Sequence, residues 1–323
     1  MQPPEMLRPH INALLISTLV LAGCSAREVG CRVGADCASG VCLSDGTCTS
    51  PIDAGGSGGG MGMGGAGGSG GSGGGVGTGG GSGGAGGGLG PLCSPNFDGT
   101  VTRAEMPLGA GLHATFRVAT SATFNTAGTT ADGGTTWNFD VALANDKQVL
   151  LETQPLAGKW FENKFAGATY AVPLSSTDPL LGVFEVANDG LLLRGVVSPT
   201  DSASATELTY TPPAKFLAFP MSSGTSWTTT STVSGRLNGS FWTQTEKYES
   251  SVDKSGAALT PFAAMSVLRV KTVLTRTIGF VPTITRTYLF VAECFGTVAT
   301  INSTAGETQA EFSSAAEVRR LSK

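Results

Sequence analysis

Leu268-Arg269-Val270-Lys271-Thr272-Val273-Leu274-Thr275 sets Leu268, Val270 and Leu274 against Arg269, Lys271 and Thr275 with a period of two. Successive side chains of an extended chain point to opposite faces, so this is the pattern of a half-buried strand. Working outward, Trp137, Phe139, Val141 and Leu143 alternate with Asn138, Asp140 and Ala142. Tyr288, Phe290 and Ala292 take one face while Leu289 and Val291 take the other, which predicts a strand buried on both sides. Turn residues separate such runs: Asn188-Asp189-Gly190 stands between LLGVFEVA and LLLRGVV, and Asn238-Gly239 between two further strands. No stretch carries an amphipathic helical period, and the terminal AEFSSAAEVRRL reads as a last strand or a short helix. The pattern predicts an all-β fold of roughly ten to fourteen antiparallel strands, as a sandwich or a strongly curved sheet approaching a barrel.

Composition bounds that domain. All 23 aromatic residues lie between Phe97 and Phe312, and 25 of the 48 glycines fall within Gly55–Gly90. Residues 91–323 therefore hold the material for one large core. Residues 55–90 have no aromatic and no charge, cannot offset their ordering entropy by burial, and are expected to be a disordered tether. A Gly/Ser chain of that length has an r.m.s. span of roughly 30–36 Å and a contour of about 120 Å. Formal charge is −4, and the large domain is nearly balanced, which argues against nucleic acid as a partner. Within the tether, Gly67-Gly68-Ser69-Gly70-Gly71 satisfies a nucleophile-elbow pattern in letters only, because that motif needs a strand before it and a helix after it.

The N-terminus reads as an export signal over residues 1–23, with Arg8 as its charge and Ile11–Leu21 as an apolar run too short to span a bilayer. Met6 is the start that would make its leading segment ordinary. Leu21-Ala22-Gly23-Cys24 resembles the bacterial lipobox. That resemblance implies cleavage before Cys24 and acylation of Cys24, and Ser25 after it implies the outer membrane. Several acyl chains on one residue hold a protein on a membrane almost permanently. The remaining six cysteines suit an oxidising compartment. Cys31, Cys37, Cys42 and Cys48 form a cluster within residues 24–54 that allows three connectivities. If that cluster is self-contained, Cys93 and Cys294 pair. The spacing lacks the C-x2-C of a zinc site. The stretch CRVGADCASGVCLSDGTC resembles a small Cys-rich repeat of surface lipoproteins of myxobacterial type.

After the tether, Ser94 to Glu105 resembles a calcium-binding EF-hand loop: Asn96 and Asp98 at positions 3 and 5, Gly99 at 6, Thr100 at 7, Val101 at 8 and Glu105 at 12. The resemblance implies Ca²⁺ ligands at Asn96, Asp98, Thr100 and Glu105. Ser94 replaces the usual Asp, and Pro107 cuts short any exit helix. The same residues fit an Asn/Asp-Gly turn leading into the domain. Farther on, Phe219-Pro220-Met221, Gly224 to Trp227, and Thr260-Pro261-Phe262 running into Val267–Val270 resemble a pattern of secreted bacterial β-proteins of unknown function, which implies a curved antiparallel sheet.

The chemistry-bearing residues are sparse. His113 is the one imidazole beyond the signal and sits beside apolar residues on a strand; Asp140, Glu152, Glu162, Glu185 and Glu293 are scattered one to a strand. The pattern argues against an enzyme. Trp160-Phe161, Trp227 and Phe241-Trp242 read either as core or as a stacking platform for glycan. Arg269, Lys271, Arg276 and Arg286 read either as a solvated face paired with acids or as a basic stripe. The function expected is a membrane-anchored display module that binds a protein, glycan or matrix component, or performs a structural role. A carrier for a hydrophobic ligand in a curved-sheet cavity is the alternative.

Overall fold

The computed structural model describes residues 93–131 and 133–323. Cys24, Cys31, Cys37, Cys42 and Cys48, with the signal, Cys-rich module and tether, lie outside the described residues.

The described residues are all β: β1 (Thr100–Val101), β2 (His113–Thr123), β3 (Thr129–Ala131), β4 (Gly134–Asn138), β5 (Lys147–Glu152), β6 (Tyr170–Pro173), β7 (Leu181–Ala187), β8 (Gly190–Val197), β9 (Glu207–Ala218), β10 (Met221–Ser222), β11 (Ser226–Leu237), β12 (Ser240–Leu259), β13 (Ala264–Ile278), β14 (Val281–Ala292), β15 (Gly296–Ser303) and β16 (Ser314–Leu321). Twelve of them form one antiparallel path, β5-β2-β16-β15-β14-β13-β12-β11-β9-β8-β7-β6. Its two ends meet where Gln154, just past β5, exchanges backbone hydrogen bonds of 2.7 and 2.9 Å with Ala171 of β6. The curved sheet is thereby nearly closed into a barrel, which removes its exposed edges. The terminal segment is a strand, β16, paired on both sides.

Hairpins set the register. Asn238 and Gly239 both have positive φ, 50° and 78°, which matches the twist of the long β11–β12 ribbon. Gly256 serves a different purpose. A Cβ there would sit 2.0 Å from the Thr135 carbonyl, so its absence lets β4 lie parallel along β12 on the outside of the barrel.

Both faces of β13 and β14 are covered in the half nearer Arg269 and Phe290, whereas the outer face of β12 is exposed at Thr243, Thr245, Lys247 and Glu249. Leu268, Val270, Thr272, Leu274 and Arg276 of β13 face the interior with Tyr248, Val252 and Leu289, and all are buried. The outer face carries Arg269, Tyr288 and Phe290, roofed by the segment from Phe124 to Asp146. There Phe139 stacks on Phe124 at 4.7 Å and meets Phe290 edge-on at 4.8 Å, while the Trp137 indole donates to the Thr126 carbonyl. Trp137 to Leu143 is thus a strand only as far as Asn138. Beyond it the chain turns off along the surface, leaving Val141 37 % exposed. A smaller outer cluster, Phe161, Phe165, Ala171, Leu181, Val183 and Val197, seals the other side.

Candidate functional site

The concave features of the barrel lie at its two mouths, while Thr228, Thr230, Thr232, Thr243, Thr245, Lys247 and Glu249 leave the outer face of β11 and β12 as an exposed polar surface. The mouth at the β12–β13 and β14–β15 turns is closed by a plug made of residues 93–106. Cys93 is bonded to Cys294 in the β14–β15 turn with a Cα–Cα distance of 5.5 Å. Val101 pairs with Met221 in a two-stranded sheet of β1 with β10, and Val101 and Met106 are buried. Glu293 Oε2 accepts from the Asn96 and Phe97 amides at 2.8 and 2.9 Å. That grip holds Phe97 at φ +56°, in the left-handed region an L-residue adopts only when its surroundings impose it, with its ring 72 % exposed.

Between plug and wall lies a cleft of about 310 Å³ lined by Phe97, Gly99 and Val101 on one side and Ser255, Ala257, Ser266, Leu268, Val291 and Glu293 on the other. It is mostly apolar with two hydroxyls and one carboxylate at its rim, the composition of a small-ligand site. At roughly 30 Å³ per water, it has room for about ten water-sized groups.

The four residues of the EF-hand resemblance do come together in the plug. Asn96 Nδ2 donates to Asp98 Oδ2 at 3.3 Å and to Glu105 Oε1 at 3.0 Å. Asp98 Oδ1 accepts from the Thr100 amide, and Glu105 Oε2 accepts from the Thr102 amide and hydroxyl. Amide and hydroxyl donors thus satisfy both carboxylates, as in an Asx turn. The Asn96 N–H group occupies the place a cation would take, so Ca²⁺ would fit only after that amide turned to present Oδ1. Among the described residues no helix flanks the loop.

The other mouth opens onto a polar interior that periodicity alone did not reveal. Along the inner face of β12, Trp242 Nε1 donates to Gln244 Oε1 (3.0 Å), and Gln244 Nε2 donates to Glu246 Oε1 (2.7 Å). Arg276 Nε reaches the same Glu246 oxygen at 2.8 Å, and the Tyr248 hydroxyl donates to its other oxygen. Glu246 is fully buried. Burial, reinforced by the Glu246 charge, pushes the Tyr248 and Tyr210 hydroxyls well above the usual tyrosine range. Tyr210 Oη stands beside Glu246 and Tyr248 at the edge of hydrogen-bonding geometry, and Ser231 Oγ beside Glu246 makes no hydrogen bond. Deeper in, Ser250 meets Thr272 at 2.9 Å, and Thr287 donates to Asn302. Arg319 donates to Glu317 (2.6 Å) and to the Leu174 carbonyl. Such a network holds strands in register, with Glu246, Tyr248 and Arg276 buried and Trp242 and Gln244, nearer the mouth, half-buried.

Of the two readings of these charges, pairing with acids holds for Arg269 and Arg276, but both are buried instead of lying on a solvated face. Arg269 lies under the outer roof, gripping both Asp253 oxygens at 2.9 and 2.7 Å, Glu311 at 2.8 Å and the Thr126 carbonyl, with Tyr288 4.3 Å above it. Arg276 points into the barrel, and Arg286 reaches the Glu307 and Thr308 carbonyls. Arg269 and Arg276 lie buried on opposite faces of β13 and so make no stripe, while Lys271 and Arg286 are half-buried. Burial raises the Glu311 pKa, but the Arg269 contact outweighs it and brings the carboxyl below its usual range.

The aromatic platform does not assemble. The Trp160, Trp227 and Trp242 indoles donate to the Ser198 carbonyl, the Lys215 carbonyl and Gln244, and Phe161 is core; Phe241 is exposed. His113 begins β2 opposite Glu152, half-buried. Of the scattered carboxylates, Glu185 pairs with Arg194 and Glu293 clamps the plug, while Asp140 and Glu152 are exposed. Cys93 and Cys294 are paired, as expected if the cluster is self-contained. No family model, no curated protein and no solved structure matches this chain.

Proposed function

We propose that this chain is exported, acylated at Cys24 and held in the outer membrane, where it displays the barrel as a binding module. The single observation that supports a binding role best is the cleft between the stapled plug and the barrel wall, with Phe97 held over it in a strained backbone. Its size suits a small amphipathic ligand, or one protruding side chain or sugar of a protein, glycan or matrix partner. The Cys93–Cys294 pairing agrees with an oxidising compartment.

A second reading, a carrier of a hydrophobic ligand, is favoured by the apolar wall of the same cleft, Val101, Val267, Leu268 and Val291. Native mass spectrometry of the mature chain, made in an oxidising compartment, separates the two. A retained apolar molecule that Leu268→Trp expels supports the carrier. A bare mass, with capture of a soluble glycan or protein lost in Phe97→Ala, supports display. The anchor is tested apart from both: Cys24→Ala is expected to release the exported protein from membranes, and persistence in the membrane fraction overturns it.

A further inference from the structure

The mouth opposite the plug ends in two neighbouring hairpins. The pairing of Thr245 with Thr277 sets the start of β12 beside the turn from Ile278 to Val281. Phe280 is 100 % exposed at that turn, Val281 69 %, Ile278 37 % and, alongside, Phe241 79 %. Large apolar side chains gathered on a protruding tip need an explanation that scattered ones do not.

Three features bear on what covers them. The tips are convex, so they insert into something and do not receive it. They are free of charge over a long stretch: no Asp, Glu, Lys or Arg occurs from Leu237 to Thr245 or from Thr277 to Thr285. Four residues on each side of a turn reach about 13 Å, which exceeds the depth of about 5–10 Å at which apolar groups settle in a bilayer interface. The cations just behind are already neutralised, Arg236 by Glu207 at 2.9 Å and Lys247 by Glu249 at 2.8 Å. A protein-binding rim would carry polar and charged groups close to the anchors; the two hairpins carry Thr, Ser, Asn and Gln, and the carboxylate of the adjoining loop, Asp201, faces Arg236 at 4.0 Å.

We infer that the Phe241 and Phe280 tips insert into a lipid bilayer, and that they do so without requiring anionic lipid. This rests on the proposed anchor only for how the bilayer is brought near. The chain enters the barrel at the plug, the far end from the tips. To bring the tips to the membrane that holds Cys24, the linker must run the length of the barrel, at most the 20 residues of β12, or about 66 Å. The contour of the Gly55–Gly90 tract, about 120 Å, exceeds that.

The test uses the full mature chain, as cells export it, carrying Phe280→Trp, with phosphatidylcholine vesicles whose acyl chains are brominated. Phe280 is fully exposed, so the substitution leaves packing alone. The expected result is a blue shift and quenching of the added indole, beyond the unsubstituted protein, equal on neutral and on anionic vesicles. Phe241→Ser in the same chain is expected to weaken the quenching severalfold. Protein that floats with the vesicles while its added indole keeps its water-exposed emission overturns the inference and leaves the anchor standing. Cys24→Ala in the same chain is expected to lower the floating fraction while keeping the shift in what still floats, so unchanged flotation overturns the anchor and unshifted emission overturns the tips. A blue shift without vesicles that grows with protein concentration overturns the inference in favour of a second copy of the chain.

Discussion

The two mouths of one barrel are closed by opposite means. At the plug end a segment that precedes every barrel strand is carried across the opening and fixed by a disulfide spanning 201 residues of sequence, a two-stranded sheet, and a carboxylate taking two amides. At the tip end no segment is stapled across; the loop from Ala203 to Thr206 packs against the Asn238–Gly239 turn and leaves Phe241 and Phe280 uncovered. The hairpins run out into solvent and end in Phe241 and Phe280, while the interior behind them is filled by an ion pair and its hydrogen-bonded neighbours. Closure by a covalently held lid leaves a cleft beneath it, the ordinary setting for selective binding. Closure by packing leaves the hairpin ends free to touch an extended surface. The sheet is the same at both ends; what differs is whether the chain had a spare segment to spend on the opening.

The largest expected effect breaks the plug end. Cys93→Ala/Cys294→Ala frees a loop of 201 residues, whose closure contributes about 5 kcal/mol in the chain-entropy model. For a domain of this size that corresponds to a melting temperature lower by about 10–20 °C. Limited proteolysis is expected to begin within residues 93–106 and to spare the tip hairpins. A fall of only a few degrees would show that β1–β10 and Glu293 hold the plug by themselves.

The matching perturbation at the tip end is Glu246→Gln. It leaves Arg276 buried beside a neutral partner, which costs about 3–5 kcal/mol. Glu246→Leu/Arg276→Met removes both charges and is expected to recover most of that loss, read from urea midpoints at constant slope. If the double variant is as unstable as the single, the pair is worth more than its desolvation, and the mouths differ less than their geometry implies.

Much of the architecture was legible because alternation and turn chemistry are local. The Leu268–Thr275 pattern, the Asn238-Gly239 turn and the two-sided burial of Tyr288–Ala292 each follow from a handful of adjacent residues. Burial of charge was not legible. In Trp242-Thr243-Gln244-Thr245-Glu246-Lys247-Tyr248 the outward set is polar, but the inward set joins two aromatics to Gln244 and Glu246, so period two shows which face turns inward and not that it is charged. Arg269 looked solvated because its partners Asp253 and Glu311 stand 16 and 42 residues away. The cleft was hidden for the same reason: Glu293 meets Asn96 across 197 residues. The one available signal was the odd company of Cys294 with Glu293 just ahead of it, which pointed to a stapled turn but not to what the turn would hold.

The smallest effect concerns the buried tyrosine hydroxyls. All four tyrosines of the chain, Tyr170, Tyr210, Tyr248 and Tyr288, are held above the usual phenol range, in each case chiefly by burial. Arg103 offsets part of the effect at Tyr170, and Glu311 adds to it at Tyr288, whose pKa is pushed up to about 12. A phenol with a folded pKa above its unfolded value of about 10 contributes stability that is complete below pH 10 and is lost as pH rises through the folded value. Phenolate absorbance of the folded protein is therefore expected to stay flat through pH 10 and to rise together with loss of the β-sheet circular dichroism near pH 12 or above. A smooth titration near pH 10 with structure intact would mean that water reaches these hydroxyls, through the tip mouth for Tyr210 and Tyr248 and under the outer roof for Tyr288. Within the set, Tyr210 is at the edge of hydrogen-bonding geometry with Glu246 and Tyr248, while Tyr248 donates to Glu246 directly. Tyr210→Phe is accordingly expected to change stability by less than about 1 kcal/mol, in either direction, and Tyr248→Phe to cost about 1–3 kcal/mol by leaving a buried carboxylate oxygen unmet.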